Sequence, residues 1–136
     1  MGHALDFHDG KCKHLHGHTY HLSVTILGEP NHRNGETDSG MVIDFGDLKK
    51  IVQSEIIDLY DHSLVLHKES AYLKNADHWP HKERLHLKDY QPTCENLLNE
   101  FVQILIPHFG EGKELVKVKL QETTTSYAEW LVVDQF

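Results

Sequence analysis

Disulfides cannot hold this chain together, because its 136 residues include only two cysteines, Cys12 and Cys94, and a reducing compartment would keep both as thiols. Positive charge is scarce too. Thirteen Lys and Arg stand against 21 Asp and Glu, a net charge of −8, which argues against a sequence-independent grip on DNA or RNA, where basic side chains must neutralise phosphates. No apolar run approaches the roughly 20 residues that span a bilayer, and the first residues lack the apolar core of a signal peptide. A cytoplasmic protein with neither nucleic acid nor membrane as partner is expected. Repeats, linkers and low-complexity tracts are also missing, so 1–136 reads as one domain with a single core.

What the chain has in excess is histidine, thirteen in all, the commonest metal ligand and the side chain that titrates near neutral pH. Most of them read as solvated loop residues. Over 19–28, Tyr20, Leu22, Val24 and Ile26 face one way and His21, Ser23 and Thr25 the other, the pattern of a half-buried strand. The polar stretch 29–40, with Asn34-Gly35 inside it, predicts a hairpin connection to a short antiparallel strand over 41–45. Leu48, Ile51, Val52, Ile56 and Leu59 recur at helical spacing, which predicts an amphipathic helix over 46–59. The polar segment 67–90 predicts a long loop. Thr93 is the predicted N-cap of a second helix with Leu97, Leu98, Phe101, Val102 and Leu105 on its apolar face, ended by Pro107. Strands over 115–122 and 127–134 complete an α+β fold with antiparallel strands and both helices on one sheet face.

His16 and His18 flank one glycine, and alternate residues of an extended chain point to the same side, so both imidazoles can converge on one ion with Gly17 leaving it room. Spacing does not choose a third ligand, since His3, Asp6, His8, Asp9 and His14 all lie upstream. Lys11 and Lys13 flank Cys12, and positive charge beside a thiol favours the thiolate that proton transfer requires; the competing reading is a small, half-buried thiol. Cys94, at a helix start among apolar residues, reads as structural. Asp61-His62 follows the first helix, and a carboxylate beside an imidazole orients the ring. Adjacent side chains seldom hydrogen-bond, however, so an ordinary helix-end pair competes. Glu122 continues the face of Val116, Val118 and Leu120, and a carboxylate turned toward a core needs a partner. A ligand edge with two adjacent N–H donors would match its two oxygens, whereas a position beyond the strand end would leave it in water.

Gly2-His3-Ala4-Leu5, Lys11-Cys12, Leu15-His16-Gly17-His18, Gly40-Met41-Val42-Ile43-Asp44-Phe45, Asp47-Leu48-Lys49, Asp61-His62, Pro92-Thr93-Cys94-Glu95-Asn96 and Glu122-Thr123 together resemble the 6-pyruvoyl-tetrahydropterin synthase and 6-carboxy-tetrahydropterin synthase family, in order and spacing, over nearly the whole chain. The resemblance implies the tunnelling fold, with a four-stranded antiparallel sheet and two helices on one face. Its subunits join their sheets into a barrel, as a homohexamer with active sites between subunits. It implies Zn2+ held by His3, His16 and His18, with Cys12 as the catalytic cysteine and Asp61 and His62 as its relay. It further implies Glu122 as the pterin anchor, with Thr93 lining the same pocket. The implied substrate is 7,8-dihydroneopterin triphosphate, converted to 6-pyruvoyl-tetrahydropterin or, in the queuosine branch that the short interval from Cys12 to His16 resembles, to 6-carboxy-tetrahydropterin and acetaldehyde.

Two departures stand out. A strand normally precedes the Gly-His element in that family, and here only Met1 and Gly2 come before His3, so one strand fewer is expected. The segment 67–90 is also longer than the family pattern. Two other functions compete with the synthase: a non-catalytic pterin- or metal-binding protein of the same fold, and a hydrolase using zinc-bound water with Glu122 or Asp61 as base.

Overall fold

The computed structural model describes residues 1–110 and 112–134. In chain order its strands are β1 (Gly2–His3), β2 (His16–Gly17), β3 (His21–Gly28), β4 (Leu64–His67), β5 (Leu85–Lys88), β6 (Lys113–Gln121) and β7 (Tyr127–Leu131). Its helices are α1 (Phe45–Val52), α2 (Asp58–Tyr60) and α3 (Cys94–Leu105).

The single antiparallel sheet expected from the sequence is corrected to two sheets. One is antiparallel, in the order β3-β6-β7; the other has the order β2-β1-β4-β5, and in it β1 runs antiparallel to β2 but parallel to β4, as β4 does to β5. Parallel neighbours need a crossover rather than a hairpin. Residues 68–84 provide it, so the expected loop over 67–90 is instead the end of β4, 3-10 turns at Ala71–His78 and Lys82–Arg84, and β5.

The strand expected over 41–45 is also absent: Asn31 donates its N–H to the Met41 carbonyl, Gly40 turns through φ 84°, and the chain passes through bends into α1. Asp44 caps that helix, accepting from the N–H groups of Gly46 and Asp47 at 2.6 and 3.3 Å. A π-helical turn, Gln53–Ile57, joins α1 to α2. Its wider winding carries the apolar stripe from Ile56 on to Tyr60, 6% exposed, and turns the expected core residue Leu59 out at 47%.

α3 lies across β6 and β7 and buries Leu97, Leu98, Phe101, Val102 and Leu105 against Leu115, Val118, Leu120 and Ala128, each large aliphatic side chain contributing about 1.5–3 kcal/mol by leaving water. A bulge in β6 modifies the expected face. Thr25 pairs with Lys117 but Ile26 with Leu115, so Val116 is the extra residue and Leu115 takes its place in the core, while Val118 and Leu120 keep theirs. β7 ends at Leu131, and Val132–Asp134 forms a 3-10 turn rather than continuing the strand. No helix among the described residues is long and apolar enough to cross a membrane.

Beside the core, Glu100 accepts from Tyr60 Oη at 2.8 Å and Lys88 Nζ at 2.5 Å through one oxygen, and from Tyr90 Oη through the other. Burial pushes the Glu100 carboxyl up, but hydrogen bonds from Lys88, Tyr90 and Tyr60 outweigh it and hold the group below the usual glutamate range. A depressed carboxylate stabilises the fold above its unfolded pKa, and that contribution is lost as pH falls through the folded value. Glu100→Gln should therefore unfold more easily at neutral pH, by about 1.5–3 kcal/mol from the weakened charged hydrogen bonds. It should also show a flatter acid limb than wild type when urea midpoints are compared across pH. Parallel acid limbs would show that Glu100 contributes nothing to acid sensitivity.

Candidate metal and pterin site

β1 and β2 are two residues each, and their register sets the site: Gly2 faces Gly17 and His3 faces His16. Directly opposed residues project to the same face, and His18 follows two positions after His16. The ring centroids of His3, His16 and His18 lie 4.6, 5.0 and 5.4 Å apart, and one ligand atom from each falls within 4.8 Å of the others. Gly17 leaves room for a neighbouring strand rather than for an ion, because a Cβ there would stand 3.2 Å from the Met1 carbonyl.

The other upstream candidates lie elsewhere. His8 and Asp9 are exposed, and Asp6 accepts from Ser70 Oγ at 2.8 Å and Ala71 N at 3.0 Å.

The tautomers follow from the partners. His3 Nδ1 meets the Pro92 carbonyl at 2.7 Å and His16 Nδ1 meets the His14 carbonyl at 2.6 Å. A carbonyl only accepts, so both Nδ1 atoms carry the proton and both Nε2 lone pairs are free for a metal. Burial holds His3 below the ordinary imidazole pKa, and the neighbouring rings of His16 and His18 add to this against the opposing Pro92 carbonyl and Glu122. A neutral ring is what ligation needs. Three imidazoles are a donor set that fits a zinc ion, and His3, His16 and His18 would hold it.

Glu122 lies beside the cluster, its Oε1 at 3.8 Å from His3 Nε2 and 3.9 Å from His18 Nε2. Its partner is Tyr20, whose hydroxyl donates to Oε1 at 2.8 Å. Burial, then the bond to Glu122, pushes the Tyr20 hydroxyl up, so it stays protonated. The sequence placed Tyr20 on an apolar strand face and missed this role. The available signal was alternation, since His16, His18 and Tyr20 are successive even positions of one extended run.

Cys12 sits half-buried in a 3-10 turn, Lys11–Lys13. Its carbonyl accepts from Leu5 N at 2.9 Å, while Tyr72 Oη donates to the Lys13 carbonyl at 3.2 Å and accepts from Leu15 N at 3.1 Å. The turn is thereby tied to the segment that follows His3 and to Tyr72. Cys94, by contrast, is buried, and its Sγ–H donates to the Leu120 carbonyl at 3.3 Å. Burial pushes that thiol up to about 11, an inert side chain.

Asp61 and His62 do pair, with His62 Nδ1 2.9 Å from Asp61 Oδ2. The bond holds the Asp61 carboxyl below the usual range. Neighbours meet this way because residues 60–63 form a tight turn: Asp61 has φ −63° and ψ 135°, His62 has φ 55°, and Ser63 N donates to the Tyr60 carbonyl at 3.2 Å. The third turn position normally takes glycine.

Asp61, His62, His18 and Tyr20 line one cleft of about 330 Å³ together with Leu22, Ile56, Phe101 and Leu120. Cys12, Glu122 and Thr93 do not line it. Thr93 caps α3, its Oγ1 accepting from Asn96 N at 3.3 Å.

Residues 1–131 match the family described as 6-pyruvoyl tetrahydropterin synthase. The chain belongs to that family. Among curated relatives, the 6-carboxy-5,6,7,8-tetrahydropterin synthase of Haemophilus influenzae is 33% identical over 132 residues, covering 96% of this chain and 91% of the relative. The protein of the same name from Rickettsia bellii is 30% identical over 131 residues, covering 94% and 91%. A solved structure of an uncharacterized protein from Wolinella succinogenes has the same fold, with a TM-score of 0.73 at 19% identity over 96% of this chain and 92% of that one.

Proposed function

We propose that this chain is a zinc-dependent lyase of the 6-carboxy-tetrahydropterin synthase type. It would take 7,8-dihydroneopterin triphosphate and one water to 6-carboxy-tetrahydropterin, acetaldehyde and triphosphate. The observation that carries the reading is the convergence of His3, His16 and His18 on one point with Glu122 beside it, in a chain whose curated relatives carry that enzyme name.

Bound zinc would supply a Lewis acid that lowers the pKa of substrate hydroxyls. The protein's own residues do the rest. His3 and His16, each locked by an Nδ1–H bond, present Nε2 in a fixed direction. Cys12 moves a proton at the side-chain carbons, with Asp61 and His62 as the second proton-transfer pair. Glu122 anchors the pterin through two N–H donors, and Thr93, whose hydroxyl keeps its own proton to donate, faces the same ring.

The assembly is part of the proposal: β3 and β7 are unpaired edges of their sheet among the described residues. An unpaired edge invites a neighbouring chain, which suits a homohexamer that joins these sheets into a barrel. Incubating the purified protein with 7,8-dihydroneopterin triphosphate and identifying the pterin by mass spectrometry tests the function. 6-Carboxy-tetrahydropterin is expected; 6-pyruvoyl-tetrahydropterin would move the chain to the other branch, and unchanged substrate would end the lyase reading.

The anchor has its own test. In Glu122→Gln the amide oxygen can still accept from Tyr20, which turns the NH2 toward the pterin donors. Hydrogen bonds to a charged group contribute about 1.5–3 kcal/mol, so affinity for a pterin without the phosphorylated side chain should fall roughly tenfold to a hundredfold. Zinc content should hold, because the three converging donors are those of His3, His16 and His18, while the Glu122 oxygen nearest them accepts from Tyr20. Equal affinities in a calorimetric titration would remove Glu122 from the pterin site.

A further inference from the structure

We propose that Arg84, with His86 beside it, is a positioning residue that holds the Asp61–His62 turn in its reactive direction. The inference rests on the assignment of that pair to proton transfer.

A helix leaves its last four carbonyls without partners inside it. Here the carbonyls of Asp58, Leu59, Tyr60 and Asp61 are each met by a side chain. Arg84 donates from Nη1 to the Asp58 carbonyl at 2.9 Å and from Nη2 to the Asp61 carbonyl. His86 Nε2 donates to the Leu59 carbonyl at 2.9 Å, and Ser63 Oγ to the Tyr60 carbonyl at 2.6 Å. His86 also stacks on the Tyr60 ring, with centroids 4.9 Å apart and planes 22° apart. Three of the four contacts therefore come from β5 and the residue before it, a segment that supplies no histidine to the metal cluster.

A guanidinium at a helix C-terminus complements the negative end of the dipole. Its rigid fork also sets a direction between two carbonyls, which the point charge of a lysine does not. What it holds needs holding. His62 occupies a left-handed position with φ 55°, a conformation that costs roughly 1–3 kcal/mol for a residue other than glycine and persists only where its surroundings enforce it. The two side chains are 60% and 89% exposed, and among the described residues their hydrogen-bond partner is each other. Their aim is thus set by the backbone of the turn, and Arg84 ties that backbone, at Asp61, to the helix end at Asp58.

The test is steady-state turnover of 7,8-dihydroneopterin triphosphate by Arg84→Met, His62→Ala and the double variant. A small misplacement of a reacting group costs up to about 10²-fold, so Arg84→Met should lower kcat roughly tenfold to a hundredfold, with KM near wild type and zinc content unchanged. Residues that act as one unit are non-additive. Arg84→Met should therefore have almost no further effect on kcat once His62 is alanine. A role in folding alone would instead lower kcat by the same factor in both backgrounds, and that result overturns the proposal.

So does wild-type kcat in Arg84→Met when His62→Ala has lost activity. If Arg84→Met fails to fold, Arg84→Lys keeps the charge and stem and should show the same loss of kcat; wild-type turnover in it would refute the fork. Wild-type turnover in His62→Ala would overturn the proton-transfer assignment, and this inference with it, an outcome distinct from failure of Arg84 alone.

Discussion

Cys12→Ala should keep its zinc and its affinity for pterin and lose a factor of about 10² to 10⁴ in turnover, the range that a positioned acid–base group contributes. The expectation rests on where the thiol is held. Leu5 N bonds the Cys12 carbonyl at 2.9 Å, two residues after His3, and Tyr72 grips the chain on either side of His14, two residues before His16. Cys12 is thus held by residues close in sequence to the histidines without joining them, since among the described residues the converging donors are those of His3, His16 and His18. On the proposed function, loss of the thiol would remove a proton carrier and leave the three histidines as they were. Product formation by mass spectrometry, with zinc measured in the same sample, checks both halves. Turnover within a few-fold of wild type would make Cys12 a half-buried thiol with no chemical role, and loss of zinc would mean that the turn Lys11–Lys13 supports β2 rather than the reaction.

How much of this was readable in advance follows the distance over which each feature is decided. α3 was legible because its apolar stripe, its Thr93 cap and the following Pro107 lie within fifteen residues of one another. β3 was legible from strict alternation, and the H-x-H pair from the same rule. His3 was not separable from His8 or His14, because its place is set by a register across thirteen residues, His3 against His16, between strands too short to show any period.

β4 and β5 were hidden for a related reason. Each has four residues, the buried polar side chains of Ser63 and His67 bracket and disguise the first, and Leu87 of the second is 50% exposed. The apolar run over 41–45 misled in the other direction. Val42 and Ile43 are half-buried near Val24 and Ile26, so they pack as a strand would, but the chain bends before it can pair. Glu122 lies one residue past the end of β6, yet it turns toward the histidines rather than into water, in line with Val118 and Leu120 beyond the bulge at Val116.

The larger effect is expected at the metal. His16→Ala would remove one of the three proposed ligands, and with it the imidazole whose Nδ1–H bond to the His14 carbonyl at 2.6 Å fixes Nε2 in place. A three-ligand site has no redundancy, so two imidazoles that remain should retain the ion only weakly, and zinc measured by elemental analysis after dialysis should fall from one per chain toward none. Turnover should disappear with it, beyond the loss expected for Cys12→Ala, because the Lewis acid and a substrate contact are lost together.

The fold should survive. His16 is only partly buried on the outermost strand of its sheet, in contrast to His3, which is 2% exposed and bonded to the segment that caps α3. His3→Ala should therefore lose zinc and stability together, and His16→Ala zinc alone, a difference that a thermal melt in the presence of chelator separates. Wild-type zinc content in a folded His16→Ala protein would dismantle the site at its base, since the register of β1 against β2 would then bring the histidines together for some purpose other than metal.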